Sequence, residues 1–182
     1  MANQTKPDTA DNASVLTSGA RSEFQIKSEA FDLGKRIPPR HSGEGEDRSP
    51  PLVWGGVQEG TQELALIIAD PDAPGGTWYH WVLYNIPADV TALAEGLPRE
   101  AKLTEPKGAR QGLNSWPSEN VGYRGPMPPP GHGPHRYYFI LYALDTHIDL
   151  DPAQATAQNL LAVIKGHVLA EARTMGTYER KR

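Results

Sequence analysis

The sequence predicts a mainly β protein, an antiparallel β-sandwich whose few helices lie chiefly toward the C-terminus. The first observation is that the apolar segments 64–69, 78–87 and 135–144 are of strand length and rich in aliphatic, aromatic or β-branched residues. The second is that loops rich in glycine and proline separate them, because the chain contains 18 glycines and 17 prolines. Proline is well above its average share of about 5%. Frequent glycine and proline residues between the apolar segments favour many short strands over a helical bundle.

The chain has 182 residues, a length typical of one compact domain. Residues 1–21 are polar and lack hydrophobic periodicity, so we expect a flexible N-terminal tail followed by a single domain over residues 22–182. Phe24, Ile26 and Ser28 alternate with polar residues, which predicts the first strand. A long charged loop and a short apolar segment then lead to the central strand pair.

That central pair carries the first candidate site. Two prolines, Pro71 and Pro74, lie between the two apolar segments, where they stop regular pairing and stiffen the turn. The strands therefore deliver Asp70, Asp72 and His80 to one edge of the core. Acidic and imidazole groups held together on rigid supports make a candidate functional site.

The second half of the chain begins with a connection over residues 88–97, for which we expect a loop with a short helix, and a loop or edge segment follows. The glycine- and proline-rich loop 120–134 leads directly into the strand 135–144, and we expect so long and stiff a loop to be functional. Side chains alternate along a strand, so His135 and Tyr137 share a face and Arg136 points the other way.

The last segment, residues 152–175, has a helical pattern. Leu160, Ile164 and Val168 recur at i, i+4 and i+8, as on the buried face of a helix. Gly166 weakens this helix and can divide it in two.

Composition excludes several classes of function. The formal net charge of −4 and the lack of a basic block argue against a nucleic-acid partner. No apolar run is long enough to span a bilayer, so we expect no integral membrane association. The chain has no cysteine, and its amino terminus lacks the apolar region of a secretory signal, so we expect a cytoplasmic protein.

Metal and cofactor sites are not supported by the spacing of possible ligands. Asp70 and Asp72 resemble the start of an EF-hand loop, but the fifth position is Pro74 and the twelfth is not glutamate. His132 and His135 could ligate zinc, yet no third ligand follows from the spacing. We therefore expect His132 to be a solvated loop residue. We therefore predict no metal and no cofactor.

Catalytic motifs are also missing, since the chain has no nucleophile elbow, zincin helix or phosphate-binding loop. Asp70 and Asp72 could be an acid–base pair, but residues two apart at a strand end need not converge, and an aspartate before proline commonly caps loop amides. A lone histidine in an aromatic strand is usually a core residue. Trp78, Trp81 and Tyr84 likewise suit a core better than a ligand platform.

Several separated motifs together resemble the phosphatidylethanolamine-binding protein family, which includes Raf kinase inhibitor-like proteins, and its bacterial and archaeal branch fits best. They are Asp-Pro-Asp-Ala-Pro at 70–74, Trp-x-His at 78–80, Gly-x-Arg-Gly-Pro at 122–126 and the proline-rich segment ending in His-Arg-Tyr at 128–137. The resemblance extends from Phe24 to Tyr178, and the order of its motifs makes it specific. Residues 75–77 replace a longer insertion of the animal members.

The resemblance implies a β-sandwich with a small anion-accepting pocket. By motif position the ligand-binding residues are Asp70, His80, His135 and Tyr137, with Asp72, Gly125 and Pro126 at the rim. In this arrangement an imidazole donates to a phosphate-like anion, and Asp70 orients His80 by accepting from its other ring nitrogen. The resemblance also suggests a cis bond in a proline turn such as Ala73-Pro74.

We therefore predict a non-enzymatic protein that binds a small phosphate-like anion or phospholipid headgroup. Two other classes stay open: an interaction protein that regulates a kinase or inhibits a protease, and a hydrolase or isomerase that uses Asp70 with His80. Prokaryotic members of the resembled family are often homodimers, and we expect a two-fold dimer.

Overall fold

The computed structural model describes residues 23–181, so the expected tail, residues 1–21, lies outside the described residues. The strands are β1 (Gln25–Ser28), β2 (Leu52–Gly55), β3 (Glu63–Asp70), β4 (Trp78–Pro87), β5 (Ala92–Leu93), β6 (Arg110–Gln111), β7 (His135–Leu144) and β8 (Val168–Tyr178). Helix α1 (Ala157–Ile164) lies between β7 and β8, and short 3-10 turns cover Pro39–His41 and Pro152–Gln154. No helix in the described part of the chain has the length and apolarity required to span a bilayer.

These strands form two sheets, and the predicted antiparallel sandwich is confirmed. One sheet has the order β1-β2-β5 and the other the order β6-β4-β3-β7-β8, and every strand pair in both is antiparallel. The first strand follows the predicted alternation, because Phe24, Ile26 and Ser28 are buried while Gln25 and Lys27 are exposed. Residues 99–114, expected to be a loop or an edge segment, contain strand β6 at the edge of the larger sheet.

Strand β3 lies at the centre of the larger sheet and is buried along its whole length. Leu66 and Ile68 face the core between the two sheets, while Ala65 and Ile67 face a second core. A strand covered on both faces reads as a continuous apolar run, which is why β3 shows no alternation in the sequence. Burial of a leucine or isoleucine side chain such as Leu66 or Ile68 contributes about 1.5–3 kcal/mol.

The prediction of a helix over residues 152–175 is wrong in its second half. Helix α1 ends at Ile164, and Gly166 takes a left-handed φ of +84°, a conformation that glycine adopts without a steric penalty. The chain then returns as β8, which pairs with β7 from His135 to Leu144. Val168 is exposed there, so its helical spacing from Leu160 does not mark a shared buried face.

Two smaller expectations are also corrected. Residues 88–97 contain a turn and the short strand β5 in place of a helix, because this segment pairs with β2. The cis peptide bond within the described residues is Glu105-Pro106, and Ala73-Pro74 is trans.

Candidate functional site

Antiparallel pairing brings the predicted site residues together. The end of β3 at Asp70 lies beside the start of β4, where Asp70 pairs with Trp78, and beside the start of β7, where Ala69 pairs with Tyr138. Side chains from three segments distant in the chain therefore meet at one edge of the larger sheet.

A cavity of about 250 Å³ opens at this edge. Four of its lining residues, which we call the floor, are almost completely buried: Asp70, His80, His135 and Tyr137. Four others, the rim, are exposed: Pro74, Trp78, Met127 and Pro129. Ala73, Trp116 and Pro128 complete the walls. The cavity thus has a polar floor beneath largely apolar walls.

Asp70 holds His135, which corrects the expectation that it orients His80. The Nδ1 atom of His135 lies 2.7 Å from Oδ2 of Asp70, and the backbone N–H of Asp72 donates to Oδ1 at 2.8 Å. On the other side of the ring, Nε2 of His135 lies 2.6 Å from Nδ1 of His132. Both nitrogens of His135 are therefore engaged, in a chain that runs from a buried carboxylate to an exposed imidazole.

His80 takes its orientation from a main-chain carbonyl. Its Nδ1–H donates to the carbonyl oxygen of Arg124 at 2.7 Å, and its ring lies edge-on to Trp116 and Tyr137 at centroid distances of 5.0 and 5.1 Å. Burial lowers the pKa of His80 to about 4, against the raising effect of the Arg124 carbonyl and Asp70. The ring is thus neutral at physiological pH, and its Nε2 is an acceptor.

Tyr137 supplies a hydroxyl group that has no hydrogen-bond partner among the described residues, although the side chain is buried. Burial raises the pKa of Tyr137. The carboxylate of Asp70 raises it further, through its charge and as a nearby acceptor whose geometry falls short of a hydrogen bond. The phenol therefore keeps its proton. An unpaired buried hydroxyl is unfavourable in the free protein, since most such groups have a partner.

The three predicted rim residues do not line the cavity. Asp72 accepts hydrogen bonds from Arg136 to both of its carboxylate oxygens, at 2.8 and 2.9 Å, and these bonds lower its pKa to about 2. Gly125 packs against the backbone behind the cavity, where an added Cβ would lie 2.1 Å from the carbonyl oxygen of His41. Pro126 is buried beside it.

Sequence reasoning missed three residues at the site. Trp78, assigned to the core, is 36% exposed at the rim, whereas Trp81 and Tyr84 are fully buried as expected. Trp116, not singled out before, lies between His80 and the guanidinium of Arg124, which is 5.1 Å from its ring centre. A large aromatic residue isolated in the polar loop 113–120 was the available signal. His132 is exposed, as predicted, but also contacts His135.

No metal-ligand set was found in the part of the chain that the structure describes. Over residues 23–181, no three histidine, cysteine, aspartate or glutamate side chains are grouped so that they could hold an ion.

Comparisons with known proteins identify the family of the chain. The family profile described as "Phosphatidylethanolamine-binding protein" matches residues 27–179. A UPF0098 protein of the archaeon Methanothermobacter thermautotrophicus is 49% identical over 157 residues, which cover 86% of this chain and 99% of the relative.

Solved structures give the same result. A phosphatidylethanolamine-binding protein homologue from Chlamydia trachomatis superimposes with a TM-score of 0.75 at 40% identity, covering 87% of this chain and 98% of the other. Escherichia coli YbcL superimposes with a TM-score of 0.80 at 35% identity, covering 88% and 100%. The chain therefore belongs to the phosphatidylethanolamine-binding protein family and groups with its bacterial and archaeal members.

Proposed function

We propose that this protein binds a small ligand whose phosphate-like head lies on the floor of the cavity and whose less polar part contacts the walls. Family membership supports a binding-protein role. The observation that carries the proposal is the unpaired hydroxyl of Tyr137 beside the ring of His80. A bound anion would supply the acceptor that this hydroxyl lacks.

The floor also indicates the protonation state of the ligand. Asp70 and the Nε2 atom of neutral His80 are acceptors, while Tyr137 is a donor. A head that fits this set must bring a proton of its own as well as an acceptor oxygen. A phosphate monoester does so below its second pKa of about 6, whereas a phosphate diester has no such proton.

The size of the cavity limits the ligand further. Its volume of about 250 Å³ is below the range of roughly 300–1,000 Å³ that is usual for drug-sized ligands. A small phosphate monoester fits this space, and a longer apolar chain on it would have to leave across the exposed rim at Trp78 and Met127.

Binding should strengthen as the pH falls toward the second pKa of the phosphate. His80, with a pKa of about 4, does not supply the proton near neutral pH. The protonated group is the ligand.

A titration followed by NMR tests the proposal. Phosphoethanolamine, a monoester, and glycerophosphoethanolamine, a diester, are added at about pH 5.5 and about pH 7.5, on either side of the phosphate pKa. We expect the monoester at the lower pH to shift the signals of His80 and Tyr137 most. His147 and His167, which contact Glu63 and Asp145 elsewhere, serve as internal controls and should not shift.

Equal shifts of all the histidines, or none, would contradict the proposed site. We propose no catalytic step, and turnover of a phosphate ester that disappears in Asp70→Asn would overturn this and favour the hydrolase. If a kinase or protease were instead the partner, its binding would survive loss of both His80 and His135.

We further propose that the protein is a cytoplasmic homodimer. Sedimentation at micromolar concentration tests the assembly, and a single monomeric species would contradict it.

A further inference from the structure

The peptide bond that joins Arg124 to Gly125 connects the floor to a carboxylate outside the cavity. Its carbonyl oxygen accepts from Nδ1 of His80 at 2.7 Å, and its N–H donates to Oδ1 of Asp47 at 2.6 Å. Both groups belong to one planar unit, so any rotation of the peptide disturbs both hydrogen bonds. The charged acceptor polarises the amide and thereby strengthens the carbonyl as an acceptor for His80.

Asp47 is itself held firmly in place. Its Oδ2 accepts from Nη2 of Arg99 at 2.6 Å and lies 3.9 Å from Nε of Arg124, and the side chain is 18% exposed. Its φ of 55° is left-handed, a region in which residues other than glycine are uncommon. Such a conformation persists where its surroundings determine it, often close to a functional site. Here it directs the carboxylate to Gly125.

We propose that Asp47 is a positioning residue that selects the ring tautomer of His80. With the peptide held by Asp47, Nδ1 keeps the proton and Nε2 is an acceptor. If the peptide turned, the opposite tautomer would become available, and Nε2–H would be a donor that also suits a phosphate diester. The consequence for ligand choice rests on the proposed function, whereas the tautomer is a property of the free protein.

Long-range proton–nitrogen NMR spectra of the histidine rings, recorded without ligand, test this proposal. Wild-type His80 should show only the tautomer protonated at Nδ1. Asp47→Gly removes the carboxylate and tolerates the left-handed φ, and we expect a mixture of both tautomers. Asp145→Asn is the matched control, because that exposed carboxylate contacts His167 and should leave His80 unchanged.

A graded variant covers the case in which Asp47→Gly does not fold. Asp47→Asn keeps an acceptor for Gly125 but loses the charge, so the ring proton of His80 should exchange with solvent about fivefold faster than in wild type. An unchanged exchange rate in Asp47→Asn, or a single unchanged tautomer in folded Asp47→Gly, would overturn the proposal.

Ligand titrations of wild-type protein and Asp47→Gly then distinguish a failure of this proposal from a failure of the proposed function. In Asp47→Gly the preference for phosphoethanolamine over glycerophosphoethanolamine should fall about tenfold. If the tautomers mix but wild-type protein binds neither probe, the role of Asp47 stands and the proposed ligand class fails. If wild-type protein binds the monoester selectively and Asp47→Gly keeps that selectivity, the role of Asp47 is refuted.

Discussion

Strand β3 carries a buried carboxylate next to a histidine at each of its ends, Glu63 at one and Asp70 at the other. Glu63 is surrounded by donors. The amide of Asn85 reaches both of its oxygens at 3.0 Å, the N–H of Ile148 donates at 2.8 Å, and Nδ1 of His147 lies 2.7 Å away. Asn85 even takes a left-handed φ of 52° in this arrangement.

Asp70 has fewer donors and a different neighbourhood. It accepts from the N–H of Asp72 and from His135, and beside it lie the cavity and the unpaired hydroxyl of Tyr137. A buried pair of carboxylate and histidine therefore does not by itself define a site. Glu63, with its donors in place, links the end of β3 to the loop after β7. Among the described residues each end has one buried polar atom without a partner, Oδ1 of Asn85 and the hydroxyl of Tyr137, but the hydroxyl of Tyr137 lies at a cavity.

The largest expected effect is on stability at the Glu63 end. Glu63→Ala leaves the amide of Asn85 and the N–H of Ile148 without their buried acceptor, so the free energy of unfolding should fall by about 3 kcal/mol. Urea denaturation measures the loss. Affinity for phosphoethanolamine should not change, and weaker binding by a folded Glu63→Ala protein would show that the Glu63 end contributes to the ligand site. Asp145→Ala, an exposed carboxylate next to His167, should stay within about 0.5 kcal/mol of wild type.

Two tyrosines give a matched test of the unused hydroxyl. Tyr137→Phe should not lower stability, because its hydroxyl has no partner among the described residues, but it should weaken phosphoethanolamine binding about tenfold. Tyr84→Phe should do the opposite: its hydroxyl donates to the carbonyl of Leu150 at 2.6 Å, so stability falls by about 1 kcal/mol and affinity is unchanged. Calorimetry and urea denaturation of both variants measure these effects. A loss of stability in Tyr137→Phe equal to that in Tyr84→Phe would show that the Tyr137 hydroxyl is structural.

A smaller, pH-dependent effect is expected for Asp72, which lies next to the site but outside the cavity. Hydrogen bonds from Arg136 lower its pKa from 3.8 to about 2, so the pair stabilises the folded state above pH 3.8 and this contribution is lost as the pH falls through about 2. Asp72→Asn should therefore be less stable than wild type at neutral pH, and the difference in melting temperature should shrink in acid. Weaker ligand binding by Asp72→Asn at neutral pH would show that Asp72 contributes to ligand binding although it lies outside the cavity.

The smallest effect on stability is expected for His132. Because its side chain is exposed, His132→Ala should change the free energy of unfolding by no more than about 0.5 kcal/mol. The ring signals of His135 should nevertheless shift in NMR spectra, since its Nε2 loses the partner at 2.6 Å. Unchanged signals would mean that the two rings do not interact in solution.

Part of the site was accessible from local pattern alone. Alternation along 135–144 predicted that His135 and Tyr137 share a face opposite Arg136, and the burial of the first two confirms it. The hydrogen-bond partners of His80 and His135 could not be predicted from local pattern. Nδ1 of His80 binds a carbonyl 44 positions later in the chain, and Asp70 binds a histidine 65 positions later.

The strand-rich architecture, the buried central strand pair and the edge at which the polar groups meet follow from the sequence. These features depend on the length, polarity and alternation of short segments, which are local properties. Tertiary structure alone decided that residues 168–178 form a strand, because the free edge of β7 supplies hydrogen bonds that outweigh a helical spacing. It also decided which carboxylate meets which imidazole, because a hydrogen bond needs a donor and an acceptor about 3 Å apart, and only the packing of distant segments sets that distance.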